Sequence, residues 1–334
     1  MATVREIAKL AGVSASTVSR VLNSAISVSP STRAKVLSAK EELENQTSRS
    51  FPKREYSVGI IMPSGPATNL IEHPSLFTII TSFIERLTVH GVKNTTLVYD
   101  ENKICPDDLF ATQFDGYMII GTSEEQENIL LPELAKRSIP HLLVNRYANN
   151  EHLICLNYDD EHASTSVVEY LISLGHRKIA FIGGNKNYQN TKRRLSGYQL
   201  ALRKAGIAER IDYILFGEYS EAFGYQSGEA IISMKERPTA AYFASDPLAI
   251  GCMRYLSEHG LSLPKDLAII GFGDIEACKY VSPKLSTVAQ PSRDTGIAAA
   301  GTLLQMIETP TITQNQVLLK TKLIIRESSG GPII

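Results

Sequence analysis

From Tyr56 onward the chain alternates short, almost wholly apolar runs with amphipathic helical segments, and this alternation limits the fold more than any other feature. "YSVGIIM", "TTLVYD", "DGYMIIG", "PHLLVN" and "HLICLNYD" form one set of runs; "KIAFIGG", "YILFGEY", "AAYFASD" and "LAIIGFGD" form a second. A strand that is apolar on both faces must be covered on both, so such runs belong in parallel sheets flanked by helices. Ile79, Ile80, Phe83, Ile84 and Leu87 recur at helical spacing between the first two runs. "ASTSVVEYLISLG" and "RLSGYQLALRKAG" supply helices of the second set. The expected fold is α/β, with two doubly wound parallel-sheet subdomains in a core spanning 57–334. The late segments "LSTVAQP" and "QVLLKTKLIIRES" would cross back to complete them. The first subdomain is then expected at about 57–157 and 286–315, the second at about 158–285 and 316–330.

Ligands of such sheets sit beyond the carboxyl ends of the strands. The polar residues there are Thr122-Ser123, Asn145-Arg146, Asn185, Ser245-Asp246 and Asp274, hydrogen-bonding groups suited to a polyol. "GGNKN" lacks the G-K-[ST] end of a phosphate loop, and there is no GxGxxG, so a nucleotide site is not expected. Cys105, Cys155, Cys252 and Cys278 are far apart and read as reduced thiols, without a metal or disulfide framework. No nucleophile elbow or catalytic carboxylate pair stands in a matching context, so neither enzymatic activity nor a cofactor is expected. No apolar run is long enough to cross a bilayer, and "MATVREIAKLAGV" lacks the pattern of a secretory signal. The expected location is the cytoplasm.

Residues 1–56 differ in character. They hold nine Lys/Arg and five Glu, a balance of +4, while the remainder carries −5. A basic head on an acidic body points to a polyanion partner for the head. Thr3 and Glu6 fit a capping box, Ile7, Leu10 and Ala11 recur at helical spacing, and Gly12 ends that helix. Ser14 caps a second helix with Val18, Val21 and Leu22 on one face. Ser29-Pro30 opens a third, with Ala34, Leu37 and Leu43 as its stripe. Helix, glycine turn, helix is the geometry of a helix-turn-helix, which places the start of the second helix in the major groove of DNA. A small helical adaptor domain is the alternative.

The head "TVREIAKLAGVSASTVSRVLN", followed by "VSPSTRAKVLSAKEEL", resembles the DNA-binding head of the LacI/GalR (lac repressor) family of bacterial transcription regulators. The resemblance implies a head at 1–44 bound to operator DNA of pseudo-palindromic sequence. It implies operator choice by Ala15 and Ser16. Ser14, Thr17, Ser19, Arg20 and Asn23 match phosphate- and base-contacting positions, and Val4, Ser29 and Thr32 match further backbone-contacting ones. Residues 45–56 depart from the family. The Tyr-x-Pro-Asn-x-x-Ala-x-x-Leu pattern of its minor-groove hinge helix is missing, and "ENQTSRSFPKREYSVGII" reads as a linker. Phe51 either substitutes for the wedging leucine or packs at the linker's entry to the core.

The resemblance continues through "LISLGHRKIAFIGG", "RLSGYQLAL", "FASDPLAIGCMRYL", "AIIGFGDIE" and "SPKLSTVAQP". It implies a periplasmic-binding-protein-like core, a homodimer, and a sugar or sugar-like effector between two lobes. Arg194 matches the sugar-clamping arginine, Ser245 and Asp246 the polar pair at the cleft, and Tyr219 an aromatic that stacks on the sugar. His73, Phe77, Asn145, Asp274 and Gln290 complete the expected pocket. Gly273 stands in "GFGD" where the family usually has an acid, so the effector either lacks that contact or is bulkier and needs the room. The tail "GGPII" carries no leucine heptads, so assembly is expected to stop at the dimer. The implied function is a repressor of a carbohydrate-utilisation gene cluster, released or modulated by the effector. Control by a protein corepressor, or sugar binding without DNA function, are the alternatives.

Overall fold

A computed structural model describes residues 4–22, 32, 35–36, 39, 55–64, 74–100, 103–147, 153–309 and 316–330. The chain divides into two compact units, Met1–Glu55 and Tyr56–Ile334.

The first unit is helical. α1 (Val4–Ala11) stops at Gly12, whose φ of +64° costs a glycine nothing, and the Val13 N–H closes back on the Ala8 carbonyl at 3.1 Å. Ser14 then caps α2 (Ala15–Leu22), its Oγ accepting from the Thr17 N–H at 3.2 Å. Residues 32, 35, 36 and 39 are helical and belong to a third helix, α3. Ile7, Ala8, Val18, Val21, Val36 and Ala39 share one buried cluster. On α1 the apolar arc is Ile7, Ala8 and Ala11. Leu10 is exposed, contrary to expectation, because it lies about 100° around the helix from the centre of that arc. Thr3, Ala34, Leu37, Leu43 and the linker 45–54 with Phe51 lie outside the described residues.

The second unit contains β1 (Ser57–Ser64), β2 (Lys93–Asp100), β3 (Gly116–Ile120), β4 (His141–Val144), β5 (Ile154–Tyr158), β6 (Ile179–Gly183), β7 (Ile214–Phe216), β8 (Ala240–Phe243), β9 (Ala268–Gly273), β10 (Ser286–Ala289), β11 (Gln316–Leu319) and β12 (Lys322–Ile324). Its helices are α4 (Pro74–Val89), α5 (Pro106–Leu109), α6 (Glu124–Lys136), α7 (Asp160–Ser173), α8 (Gln189–Lys204), α9 (Glu221–Ser233), α10 (Asp246–Glu258) and α11 (Ser292–Glu308). One sheet runs β11-β5-β4-β3-β1-β2 and is parallel throughout. The other runs β12-β10-β9-β8-β6-β7 and is parallel except for its edge strand β12, antiparallel to β10.

Each sheet is covered on both faces, as its unbroken apolar strands require. Alternate residues of one strand serve opposite cores. Ile60, Met62 and Met118 pack with Ile79, Phe83, Ala299 and Leu303 of α4 and α11, while Ile61, Tyr117 and Ile119 pack with Leu130 and Leu134 of α6. In the second lobe Phe181, Tyr242 and Ile270 face α7 and α8, and Ile182, Phe243 and Ile269 face α9 and α10.

The expected subdomain boundaries are displaced at both late crossings. β10 was expected in the first lobe, but Ser286–Ala289 pairs with Ile270–Gly273 of β9 in the second sheet. The chain returns to the first lobe only with α11. β11 was expected in the second lobe, but Gln316–Leu319 pairs with Cys155–Tyr158 of β5 in the first. The continuous run "QVLLKTKLIIRES" is two short strands in two sheets, divided at Lys320-Thr321. An apolar run says that it is covered; its hydrogen-bonding neighbour decides by which sheet.

Paired helices cross at glycines. A methyl group on Gly224 of α9 would sit 2.1 Å from the Leu248 carbonyl oxygen, and one on Gly251 of α10 2.0 Å from the Glu221 carbonyl oxygen. Both obstacles are backbone, so the helices themselves must part. Gly224→Ala and Gly251→Ala should each cost about 1–3 kcal/mol in urea denaturation. Gly301→Ala on α11, with nothing within 4 Å of the added methyl, should instead gain about 0.5–1 kcal/mol.

Candidate functional site

Two sites can be built from the residues, one in each unit. On the head, Ser14 and Ala15 are exposed at the start of α2 and Thr17 is half-buried. The Ser14 and Thr17 hydroxyls lie 2.8 Å apart, so the first turn presents a short, hydroxyl-bearing surface rather than long cations. Small side chains let a helix approach base edges closely, and hydroxyls bond to phosphates or bases. Ser16, Ser19 and Arg20 lie further along α2 and Val4 begins α1. Thr32 is half-buried in α3, while Asn23 and Ser29 lie outside the described residues.

In the second unit, a cavity of about 130 Å³ opens where the carboxyl ends of strands from both sheets meet. From the first lobe come Pro74, Ser75 and Leu76 at the start of α4, Gly121 and Thr122 after β3, and Asn145 and Arg146 after β4. From the second come Tyr188 just before α8, Asn190 and Arg194 of α8, Glu218 to Ser220, Ser245, Pro247, Phe272 and Ile275, with Gln290 at the crossing after β10. Strand ends place these residues because helices cover both faces of a doubly wound sheet and leave its loops beyond the strand ends.

Arg194 is buried and held on several sides. Its Nε donates to Asp160 Oδ1 at 2.9 Å, one Nη donates to the Ala244 carbonyl at 2.5 Å, and its guanidinium lies 3.7 Å over the Phe272 ring. Asp160, the first residue of α7, also accepts from the Tyr147 hydroxyl at 3.1 Å. Burial pushes the Asp160 carboxyl up from its ordinary range, against the pull of Arg194 and Tyr147. Burial is the largest single influence on the Arg194 charge and opposes it, but Asp160 together with Tyr219 and Tyr242 raises the guanidinium's pKa. Arg146, from the opposite lobe, is built the same way. Its Nε donates to Glu127 Oε1 at 2.5 Å, and the Thr122 hydroxyl donates to the same oxygen at 2.7 Å.

Five expected effector residues line the cavity: Asn145, Arg194, Tyr219, Ser245 and Gln290. Tyr219 donates or accepts at Thr191 Oγ1, 2.7 Å away, and its ring covers Gly184, where any side chain would collide with it. Asn145 adopts φ +59°, which asparagine tolerates better than most residues, and its Oδ1 is buried without a partner among the described residues.

Of the other four, three do not meet expectation and one lies outside the described residues. Phe77 is 51% exposed and outside the lining; Pro74 to Leu76, one helical step earlier, take its place. His73 lies outside the described residues. Asp246 is fully buried and turned away, with Oδ1 accepting from Thr287 Oγ1 at 2.5 Å and Oδ2 from the Ile275 N–H at 3.0 Å. Asp274 is drawn off by Arg326, whose Nη bonds its Oδ1 at 2.6 Å. Nor does Gly273 leave room for a larger effector. Its φ is +141°, and a side chain there would meet Asp246 Oδ2 at 2.8 Å, so the space is already filled.

Sequence reasoning noted Arg146 and Thr122 as polar cleft residues but missed Glu127 and Asp160 behind the arginines. Each stands in the first turn of a helix, where an acid reads simply as a favourable end charge. Asn190 precedes Arg194 by four residues, a spacing that could have shown it on the same helical face.

Removing one partner of a buried ion pair strands the other charge. Asp160→Ala should therefore cost about 3–5 kcal/mol in urea denaturation. Glu133→Ala, which breaks the exposed pair with Lys136, should change little by the same measurement.

Comparison with known proteins finds matches to both units. The family model "Bacterial regulatory proteins, lacI family" matches residues 3–48, and "Periplasmic binding protein-like domain" matches residues 168–329. The ribose operon repressor of Haemophilus influenzae is 32% identical over 340 residues, covering 98% of each chain. The structure of the transcriptional regulator CelR in complex with cellobiose superposes with a TM-score of 0.75 at 25% identity, covering 98% of this chain and 100% of that one. The lac repressor dimer bound to operator and the anti-inducer ONPF gives 0.71 at 26% identity, covering 98% and 99%. With a relative this similar over nearly its whole length, the chain belongs to the lacI family of bacterial regulatory proteins.

Proposed function

We propose that this chain is a cytoplasmic, homodimeric repressor of a carbohydrate-utilisation gene cluster, and that a small sugar-like effector held between its lobes sets its affinity for operator DNA. The carrying observation is the cavity itself, walled from both lobes and presenting a buried guanidinium from each. A ligand that touches both walls has different affinities for the open and closed arrangements, and only such a difference shifts an equilibrium. The lac repressor structure is of a dimer on its operator and the CelR structure holds cellobiose, which supports carrying both properties over to this chain. The chain acts by binding, not by catalysis.

In the head, Ala15 and Ser16 choose bases. Ser14, Thr17, Ser19, Arg20 and Asn23 serve phosphates and base edges, with Val4, Ser29 and Thr32 on the backbone. The division of labour follows from chemistry: charge supplies affinity and salt dependence, while short side chains in the groove supply choice. A dimer reads two half-sites of a pseudo-palindrome.

Arg20→Ala should weaken binding to operator and random duplex alike and lower the slope of log affinity against log salt by about 1 in mobility-shift titrations. Equal affinity of the unaltered protein for operator and random DNA would overturn the repressor reading. Arg194→Lys keeps a charge beside Asp160 but loses the planar fork. It should leave operator affinity within about twofold and abolish release by the sugar that releases the parent protein. Retained release would move the effector elsewhere, and release by a protein partner alone would favour a corepressor.

A further inference from the structure

We infer that the effector is a sugar carrying an oxyanion, and that Arg146 of the first lobe binds it together with Arg194 of the second. The inference rests on the effector reading above and narrows its ligand class.

It follows from an imbalance of donors and acceptors. The acids that sequence placed at the cleft are not in it. Asp246 is spent on Thr287 and Ile275, Asp274 on Arg326, and Gly273 has no side chain. Two arginines line the cavity instead, each more than nine-tenths buried. Their protein partners lie behind them. Glu127 takes only Nε of Arg146; Asp160 and the Ala244 carbonyl take Nε and one Nη of Arg194. Among the described residues the remaining Nη groups have no other partner, so their N–H bonds are left for what enters the cavity. Glu127 and Asp160 are not part of the lining, and the acidic side chain that is, Glu218, is exposed.

A wall rich in guanidinium donors and poor in carboxylate acceptors favours a ligand rich in acceptors. A neutral sugar offers hydroxyls that must also donate, and for these the lining provides the amides of Asn145, Asn190 and Gln290, the hydroxyls of Ser75, Ser220 and Ser245 and the exposed Glu218, but no buried carboxylate to match its two buried guanidiniums. A carboxylate or a phosphate accepts from both arginines without needing anything in return. One hydroxyl of the same ligand would satisfy Asn145 Oδ1. Arg146 is thus a ligand-binding residue that selects for charge, and Glu127 with Thr122 positions it, fixing the guanidinium plane as Asp160 fixes that of Arg194.

The test uses the full chain in thermal-shift and calorimetric titrations with glucose, galactose and ribose, matched to gluconate, glucuronate, galacturonate, glucose 6-phosphate and ribose 5-phosphate. At least one oxyanion should bind about tenfold or more tightly than its neutral counterpart. Whether an acid or a phosphate does so tells the two sources apart. Arg146→Gln should erase that preference, lowering affinity for the oxyanion about tenfold or more relative to its neutral counterpart. Glu127→Gln keeps an acceptor for Arg146 but removes the opposing charge, so it should raise the preference. This second variant carries the test if the melting curve of the first shows it unfolded. Equal or tighter binding of the neutral sugars overturns the inference and leaves the sugar-effector reading standing. No binding by any of the eight overturns both. A preference that survives Arg146→Gln, or fails to rise in Glu127→Gln, removes Arg146 from the site.

Discussion

A carboxylate with no access to water must be paired, and Asp160 is paired from both sides of the cleft. Tyr147 reaches it from the loop after β4 in the first lobe, Arg194 from α8 in the second. Asp160 itself stands where the chain first passes from one sheet to the other. The same turn of α8 carries Arg193, whose guanidinium lies 3.9 Å over the Tyr147 ring. Two adjacent arginines thus face in two directions, one clasping the neighbouring lobe and one lining the cavity. Coulombic attraction strengthens as water is excluded, and so does the penalty for losing it. The cavity wall and the contact between lobes are therefore built from one set of charges.

The first lobe repeats the device with Arg146 and Glu127. In both lobes an arginine at the cavity has its Nε side occupied by an acid from the first turn of a helix, which leaves the outer edge of the guanidinium in a fixed orientation. A long flexible side chain loses much freedom when a ligand orders it; here the protein has already imposed that order. Affinity gained this way depends on residues that never touch the ligand.

The sheets were legible because a strand covered on both faces has no choice but to be apolar throughout. "DGYMIIG" and "LAIIGFGD" announce parallel β structure without help from the rest of the chain. The crossings were not legible, since "STVA" in β10 and "QVLL" in β11 look alike whichever sheet they join. Arg194 and Tyr219 could be placed at the cavity by resemblance to a family. The orientation of an acid could not. Asp246 occupies the expected position and points the other way, because Thr287 and the Ile275 N–H, far along the chain, compete for its oxygens and win. The same side chain explains Gly273, a feature that sequence alone read as space for a ligand. Long-range partners decide where a polar side chain points, and no local pattern records them.

The crossing from β11 to β12 is the shortest link from a strand of one sheet to a strand of the other. Leu319 ends a strand of one sheet and Lys322 begins a strand of the other, with Lys320 and Thr321 between them. Three residue steps extend to at most about 11 Å. At that point the lobes cannot part, whatever occupies the cleft. Any change in their relation is then a turn about this tether and the two other crossings, at Asp159 and at Gln290-Pro291, with the largest displacements at the elements farthest from them.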